Sequence, residues 1–276
     1  MVDFDDYTIG DHRAACPVCS KTQRDKSLGI TILAYDHGIA RCFKCNFIQL
    51  RREQRELSPV EKLAYQRRME ALRRQHDAEQ RQRHAEVAQA ADVRWKAAVP
   101  ADTHPYLSAK GIQSHGARVE AGHTLLVRMT DVQGHIHNAQ SIAPDGVKRF
   151  MAGGRVKGLY YPIGRPSGRL VVCEGFATGA TIHEDTGHAI AVAFNAGNLL
   201  AVAKSLRTKF PCITLVIAAD DDWKTEGNPG VTAATEAARA VGGLLAVPNF
   251  AGLDRGEKDT DFNDLHRLTG SVEVPA

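Results

Sequence analysis

The chain has 276 residues, with 35 Lys and Arg against 32 Asp and Glu, a net charge of +3 and 43% hydrophobic content, which is long enough for two or three domains with one sizeable core. The near balance of charge excludes a polyanion binder over its whole length; acid gathers at the ends and base in the middle, so any nucleic-acid surface must be local. No apolar run approaches a membrane span and Met1-Val2-Asp3-Phe4-Asp5-Asp6 is acidic where a secretory leader is basic, so a soluble, cytoplasmic protein without membrane contact is expected.

Four of the six cysteines stand in two pairs near the N-terminus, Cys16-Pro17-Val18-Cys19 and Cys42-Phe43-Lys44-Cys45. Each C-x₂-C pair can form a tight knuckle, and two knuckles present four thiolates to one structural Zn²⁺. A disulfide framework does not suit a chain without a secretion signal, while iron in a rubredoxin-like site is the competing metal. His12 and His37 lie nearby but are not needed as ligands. Between the pairs, Gly29–Tyr35 and Ile39–Phe43 read as short strands joined through Asp36-His37-Gly38, predicting a zinc ribbon over residues 8–50 that depends on its metal for folding. A purely structural ribbon is one reading. The other is a surface for single-stranded DNA, supplied by Lys21, Arg24, Lys26, Arg41 and Lys44 with the rings of Tyr35, Phe43 and Phe47.

Residues 51–98 change character. Ser58-Pro59-Val60-Glu61 is a capping box with proline at the first helical position, and no Gly or Pro follows until about Ala98, so a long basic helical linker is predicted. Its apolar positions, Leu63, Met69, Leu72, Val87 and Val93, are too sparse for a core stripe, which predicts a solvated spacer. Residues 99–167 read as a small α+β subdomain. It has a short helix over His104–Lys110 closed by Gly111, a strand over Thr124–Met129, and a half-exposed strand over His135–Ile142 whose His135 and His137 share a face without a third metal ligand. Lys148, Arg149, Arg155 and Lys157 then alternate with glycines in a turn that suits close approach to phosphates, or is simply a basic hairpin.

From residue 168 onward β and α segments alternate. Strands are predicted at Leu170–Glu174, Ala189–Ala193, Ile213–Ala219 and Leu244–Val247, with helices from about Thr178, Asn198 and Asn228, the latter two asparagines serving as N-caps. Cys173 and Cys212 are expected in the core. Two of the strands end in acid, Glu174 in one case and Asp220-Asp221-Asp222 in the other. Reactive groups of open α/β sheets gather beyond the carboxyl ends of strands, so Glu174, Asp220 and Asp222 should share a crevice, with Asp221 projecting the other way. Convergent carboxylates repel unless a cation lies between them, and oxygen ligands alone favour Mg²⁺ or Mn²⁺. Asp261 and Asp264, in Asp259–Leu265, either cap a short helix or join that site.

The runs Cys173-Glu174-Gly175-Phe176-Ala177-Thr178-Gly179, Phe194–Leu199, Asp220–Asp222 with Asn228-Pro229-Gly230, and Asp261-Phe262-Asn263-Asp264 resemble the Toprim-domain primases of satellite phages and conjugative plasmids. The resemblance implies a Rossmann-like, mainly parallel Toprim sheet over 168–276, preceded by the α+β subdomain, the helical linker and an N-terminal primase zinc ribbon. It further implies template recognition by the ribbon, Asp261 and Asp264 as additional Mg²⁺ ligands, and DNA primase activity on single-stranded DNA with nucleoside triphosphates. In that reading Asp220 and Asp222 hold metal, Glu174 holds metal or accepts a proton, and Lys148, Arg149 and Lys157 contact phosphates. Trp223–Gly227 intervenes where cellular primases pass almost directly to glycine and helix. No G-x-x-x-x-G-K-[ST] occurs, so a replicative helicase is expected in trans. The alternatives are a Toprim nuclease and a non-catalytic zinc-dependent DNA-binding accessory protein.

Overall fold

The computed structural model describes all residues except 21, 23, 35, 36, 53–58, 121 and 276, and describes only the backbone of 52, 59–62 and 65. The predicted cap at Ser58, the cation Lys21, the ring of Tyr35 and the turn residue Asp36 therefore lie outside the described residues. The chain divides into two units, Met1–Arg73 and Arg74–Ala276.

In the first unit, four strands, β1 (Gly10–Ala14), β2 (Leu28–Ala34), β3 (His37–Cys42) and β4 (Ile48–Arg52), pair antiparallel in chain order. Two of them were legible as apolar runs. Polar β1 and arginine-bearing β4 were not, because one face of each is open to solvent and their pairing comes from β2 and β3. Alternation places Leu28, Ile30, Ile32, Ala40 and Cys42 inward with Phe4 and Cys16, and Arg13, Arg41 and Ile48 outward.

Helix α1 (Pro59–Ala97) is a single run of 39 residues. The expectation of a solvated spacer fails at its C-terminal end, where Ala91, Trp95 and Ala98 belong to the main core of the second unit. The Arg118 and Arg128 guanidiniums each lie 4.8 Å from the Trp95 ring centroid, and Arg94 forks onto Glu120 at 2.8 and 2.5 Å. One tryptophan with two flanking alanines anchors the helix end; the linker's apolar count had passed over all three.

The second unit contains two sheets. Strands β5 (Val99–Pro100), β6 (Arg118–Glu120), β7 (Thr124–Thr130), β8 (Ile136–Ile142) and β9 (Lys148–Phe150) form an antiparallel sheet in chain order, with α2 (Pro105–Lys110) between the first two and closed by Gly111 at φ +65°. His135 and His137 both face Asp131, at 3.6 and 2.7 Å, which accounts for them without a metal. The other sheet has the order β10-β12-β11-β13-β14, built from β10 (Tyr161–Ile163), β11 (Arg169–Cys173), β12 (Ala189–Val192), β13 (Thr214–Ala218) and β14 (Leu244–Ala246). Only edge strand β10 runs antiparallel. Its helices are α3 (Phe176–Thr186), α4 (Ala196–Lys209), α5 (Pro229–Val241) and α6 (Phe262–Thr269).

Period-two alternation splits the strands between two cores. Val171, Cys173, Ile190, Val192, Val216 and Ala218 pack with α3, α6 and the antiparallel sheet, while Leu170, Val172, Ala191, Leu215 and Ile217 pack under α4 and α5. Helix α3 lies close because Gly179 has no side chain; a Cβ there would press on Ile190, Val192 and Cys173. Two sequence expectations are corrected. The N-cap of α4 is Asn195, not Asn198; Asn198 is buried and instead ties the preceding subdomain down, accepting from Gly158 N at 2.7 Å and donating to the Leu159 and Ala193 carbonyls. Cys212, expected in the core, is exposed. Among the described residues no helix is long and apolar enough to cross a membrane.

Candidate active site and metal cluster

In the first unit the Sγ atoms of Cys16, Cys19, Cys42 and Cys45 all lie within 4.8 Å of one another. Cys16–Cys45 and Cys19–Cys42 are 3.7 and 3.6 Å apart, close to the edge of about 3.8 Å that follows from tetrahedral M–S bonds of about 2.3 Å. The Val18 and Lys44 amides donate to Cys16 and Cys42 sulfurs at 3.4 and 3.3 Å, the knuckle arrangement that stabilises thiolates. The four cysteines thus have the arrangement that could hold one metal ion. On the sheet's outer face Arg13, Gly29, Arg41 and Ile48 form one row across all four strands. Beside it Phe43 is 64% exposed, with the Arg13 guanidinium 4.6 Å from its centroid. Arg24 and Lys26 are exposed, and Lys44 is paired with Asp25 at 2.8 Å.

In the second unit, β11 and β13 are parallel neighbours with Val172 opposite Ile217. Glu174 directly follows the end of β11 and Asp220 stands two residues past the end of β13, on strands about 4.8 Å apart. Burial is the main cause that lifts the Glu174 carboxyl to about 7; the Asp222 charge adds to it and the Ala196 amide opposes it. That amide is aimed by Phe194, whose φ of +73° turns the end of β12 into α4. Asp220 is raised well above its ordinary value by burial, then by Glu174, Asp261 and Asp222, with Lys148 opposing. Asp261 is raised by burial and by Asp264. Four acids from three chain segments therefore act on one another in one crevice.

Two oxygens there, Glu174 Oε1 and Asp220 Oδ1, are buried without a hydrogen-bond partner. Orphaned carboxylate oxygens in like-charged surroundings are what a hard divalent cation would satisfy, so the residues fit the group. Among the described residues no three of these carboxylates bring oxygens within 4.8 Å of one another.

The three consecutive aspartates have different surroundings. Asp220 faces the crevice. Asp221 is turned away, held by Arg255 at 2.7 Å and by Asn228 Nδ2 at 2.6 Å. Asp222 accepts from the Gly230 amide at the start of α5 at 3.1 Å; a Cβ on Gly230 would overlap the Asp220 carbonyl, so glycine is required there. Asp261 is the N-cap of α6 in a reciprocal capping box with Asp264, and also accepts from Thr178 Oγ1 at 2.8 Å. Asp264 receives the Thr260 amide at 3.0 Å and lies 3.8 Å from Lys110 and 3.6 Å from Arg267. Both of its oxygens are thus committed beside the crevice, and capping, the role weighed against metal binding, is the one its contacts display.

Of the three predicted phosphate contacts, Lys148 is the one whose charge acts on the acids. Burial of its amine lowers its pKa, with the Asp261 and Asp220 charges opposing, although the residue keeps an exposed surface, and its Nζ is 5.5 Å from the Tyr106 ring centroid. Arg149 pairs across to Ser141 on the neighbouring strand and Lys157 is exposed in the following turn; neither is among the charges acting on Asp220. Sequence reading missed Tyr106, whose buried hydroxyl has no partner and whose pKa is pushed up to about 12, mainly by burial. It missed Lys110 and Arg255 as well. None of the three stands in a run that marks it, since only folding carries α2 and residue 255 to the acids.

A family model described as Toprim domain matches residues 169–272. This region is a Toprim domain. The chain is 39% identical over 207 residues to "DNA primase TraC" of Escherichia coli, a match covering 71% of the chain and 20% of that relative. A second protein of the same name and organism is 41% identical over 158 residues, covering 53% of the chain and 11% of the relative. The chain thus spans about a fifth or less of the curated relatives it matches. Among solved structures, the primase fragment of the bacteriophage T7 primase-helicase protein is similar with a TM-score of 0.44 at 14% identity, covering 93% of this chain and 94% of that one. The Toprim match takes in Glu174, Asp220, Asp222, Asp261 and Asp264.

Proposed function

We propose that this chain is a DNA primase that makes short primers on single-stranded DNA by nucleotidyl transfer. The observation that carries the reading is the convergence of Glu174, Asp220 and Asp222, beyond the carboxyl ends of parallel strands in a Toprim domain, with Asp261 at the start of α6, and with two carboxylate oxygens unpartnered. Glu174, Asp220, Asp222 and Asp261 would hold Mg²⁺ or Mn²⁺, which supplies charge neutralisation at the triphosphate. Asp264 keeps Asp261 in place. Glu174, with its pKa raised to about 7, is suited to take the proton of a primer 3′-hydroxyl. That oxygen forms a bond to the α-phosphorus, the bond from α-phosphorus to the bridging oxygen breaks, and pyrophosphate leaves. Lys148 balances the negative charge of the nucleotide phosphates.

The ribbon over 8–50 would carry Zn²⁺, and its outer face, with Phe43, Arg13 and Arg41, would hold template through ring stacking and phosphate contacts. Residues 51–98 link it to the α+β subdomain of 99–167 and to the Toprim domain of 168–276, and a replicative helicase would act in trans. Support comes from the curated relatives' name and from the donor sets of the two sites. Purified chain incubated with single-stranded templates, labelled nucleotides and Mg²⁺ or Mn²⁺ should yield short primers. Glu174→Gln should reduce synthesis by about 10²-fold or more while template binding is kept. Strand cleavage with the same metals and no nucleotides would assign the crevice to a nuclease, and template binding indifferent to Glu174→Gln with no synthesis in either protein would assign the chain to an accessory role.

A further inference from the structure

Helix α1 does more than anchor itself through Trp95. Arg83, Val87, Ala91 and Trp95 stand four residues apart and so run along one side of the helix. Ala91 and Trp95 enter the core. Val87 packs on the turn after β9, where a Cβ on Gly154 would lie 2.7 Å from its Cγ1. Arg83 comes last in this row, and its stem crosses the same turn: a Cβ on Gly153, at φ +79°, would lie 2.6 Å from Arg83 Cδ. Packing of the stem on bare backbone holds an exposed guanidinium against the body of the second unit instead of leaving it to sweep through solvent.

Strand β9 brings a second cation to this side. Arg149 lies opposite Ser141, and directly opposed residues of antiparallel strands project to one face. Ser141 Oγ accepts from Arg94 Nη2 of α1 at 3.2 Å, so that face is the one α1 lies on. Lys148 and Phe150 project the other way, where Lys148 acts on Asp220 and Asp261 and the Phe150 ring meets that of Phe194 at 6.1 Å. Because β9 is the edge strand, its two faces meet at one rim, with the acidic crevice on one side and α1 on the other.

The two arginines are left unneutralised. Nearby acids of α1 are taken up within the helix: Glu79 accepts from Gln75 at 2.9 Å, Glu86 from Gln82 at 3.0 Å, and Asp92 pairs with Lys96 at 2.5 Å. Among the described residues Arg83 and Arg149 have no ion pair. Arg155 follows in the same turn with its Nε buried and unpartnered, which adds a further positive charge. Exposed arginines beside a glycine turn that a backbone can approach closely suit a chain of phosphates. We infer that the α1 side of edge strand β9 is a phosphodiester track for single-stranded DNA, with Arg83 and Arg149 as its charge contacts. Only the identity of the polyanion rests on the primase reading.

Binding of a fluorescein-labelled oligothymidylate to the full chain, followed by anisotropy over a series of salt concentrations, tests the track. The double variant Arg83→Glu/Arg149→Glu should bind about tenfold or more weakly, and its salt slope should shrink by about 1.4, since each phosphate contact on a single strand contributes about 0.7. Arg83→Lys/Arg149→Lys should keep most of the affinity and the slope, which arginines needed only for packing would not do. Both arginines are exposed, so the emission of buried Trp95 should be unaltered in either variant. Wild-type affinity and slope in the glutamate variant overturn the track and leave these cations to an acidic protein. If the wild-type chain makes primers and the slope does not change, only the track falls; if it makes none yet the slope shrinks as stated, the track stands and the primase reading falls.

Discussion

Among the described residues of the Met1–Arg73 unit, seven buried ones make up the core, and two of them, Cys16 and Cys42, belong to the four-cysteine cluster. In the Toprim domain the acids stand on strands whose side chains fill two separate cores, and none of the hydrophobic packing passes through them. Both regions gather groups that repel when ionised. In the ribbon a cation on the four cysteines would be part of what holds the chain folded, because five remaining buried side chains cannot offset the entropy of ordering so short a segment. In the Toprim domain the packing of β11, β13, α3 and α5 brings the acids together, so the fold itself bears the repulsion.

The largest effect expected from that contrast is on metal removal. Chelation, or Cys42→Ser, should abolish amide protection throughout residues 8–50 while the Arg74–Ala276 unit melts as before. Both tryptophans lie in that second unit, so their emission reports it alone. Protected ribbon amides after complete chelation would break the comparison. Next in size, Trp95→Ala should cost the second unit about 3–5 kcal/mol, as a buried aromatic replaced by a small residue does, with ribbon protection unaltered; thermal melts of the full chain measure both.

A smaller effect should appear in the pH dependence of the second unit. Glu174 titrates at about 7 in the fold against an ordinary 4.5, and Asp220 is raised as well. The folded state then binds more protons than the unfolded one within that window, so stability is full below about pH 4.5 and falls as pH rises through about 7. Melts in chelator should show this decline. Mg²⁺ or Mn²⁺ should flatten it and release protons on binding near pH 6, measurable by calorimetry in buffers of different ionisation enthalpy. A flat profile in chelator would mean that the strands do not force the acids together.

Much of the Toprim domain could be read from the chain because its strands are short apolar runs buried on both faces, and each of its four predicted strands appears within a residue or two of its expected bounds. The cysteine cluster was legible for a different reason: two tight knuckles have a fixed local spacing. Asn198 was misread as a cap because an asparagine before a helical run looks the same whether it bonds its own helix or a distant loop. Trp95 was passed over because a helix with a mean polar character gives no sign that its last two turns enter a core. Arg149 and Lys157 share the basic turn with Lys148, and only the pairing of β8 with β9 decides which of them acts on the acids.

By itself, then, the sequence determined the local matters: where strands and helices form, which sulfurs meet, and that two strands end in carboxylate. Tertiary structure alone decided which acid faces which partner. Asp220, Asp221 and Asp222 are chemically identical neighbours, and they differ because burial, the Arg255 clamp and the Gly230 amide at the start of α5 each act on a different one of them. Electrostatic and hydrogen-bonding energies depend on distances between folded segments, and those distances exist only once the sheet has closed.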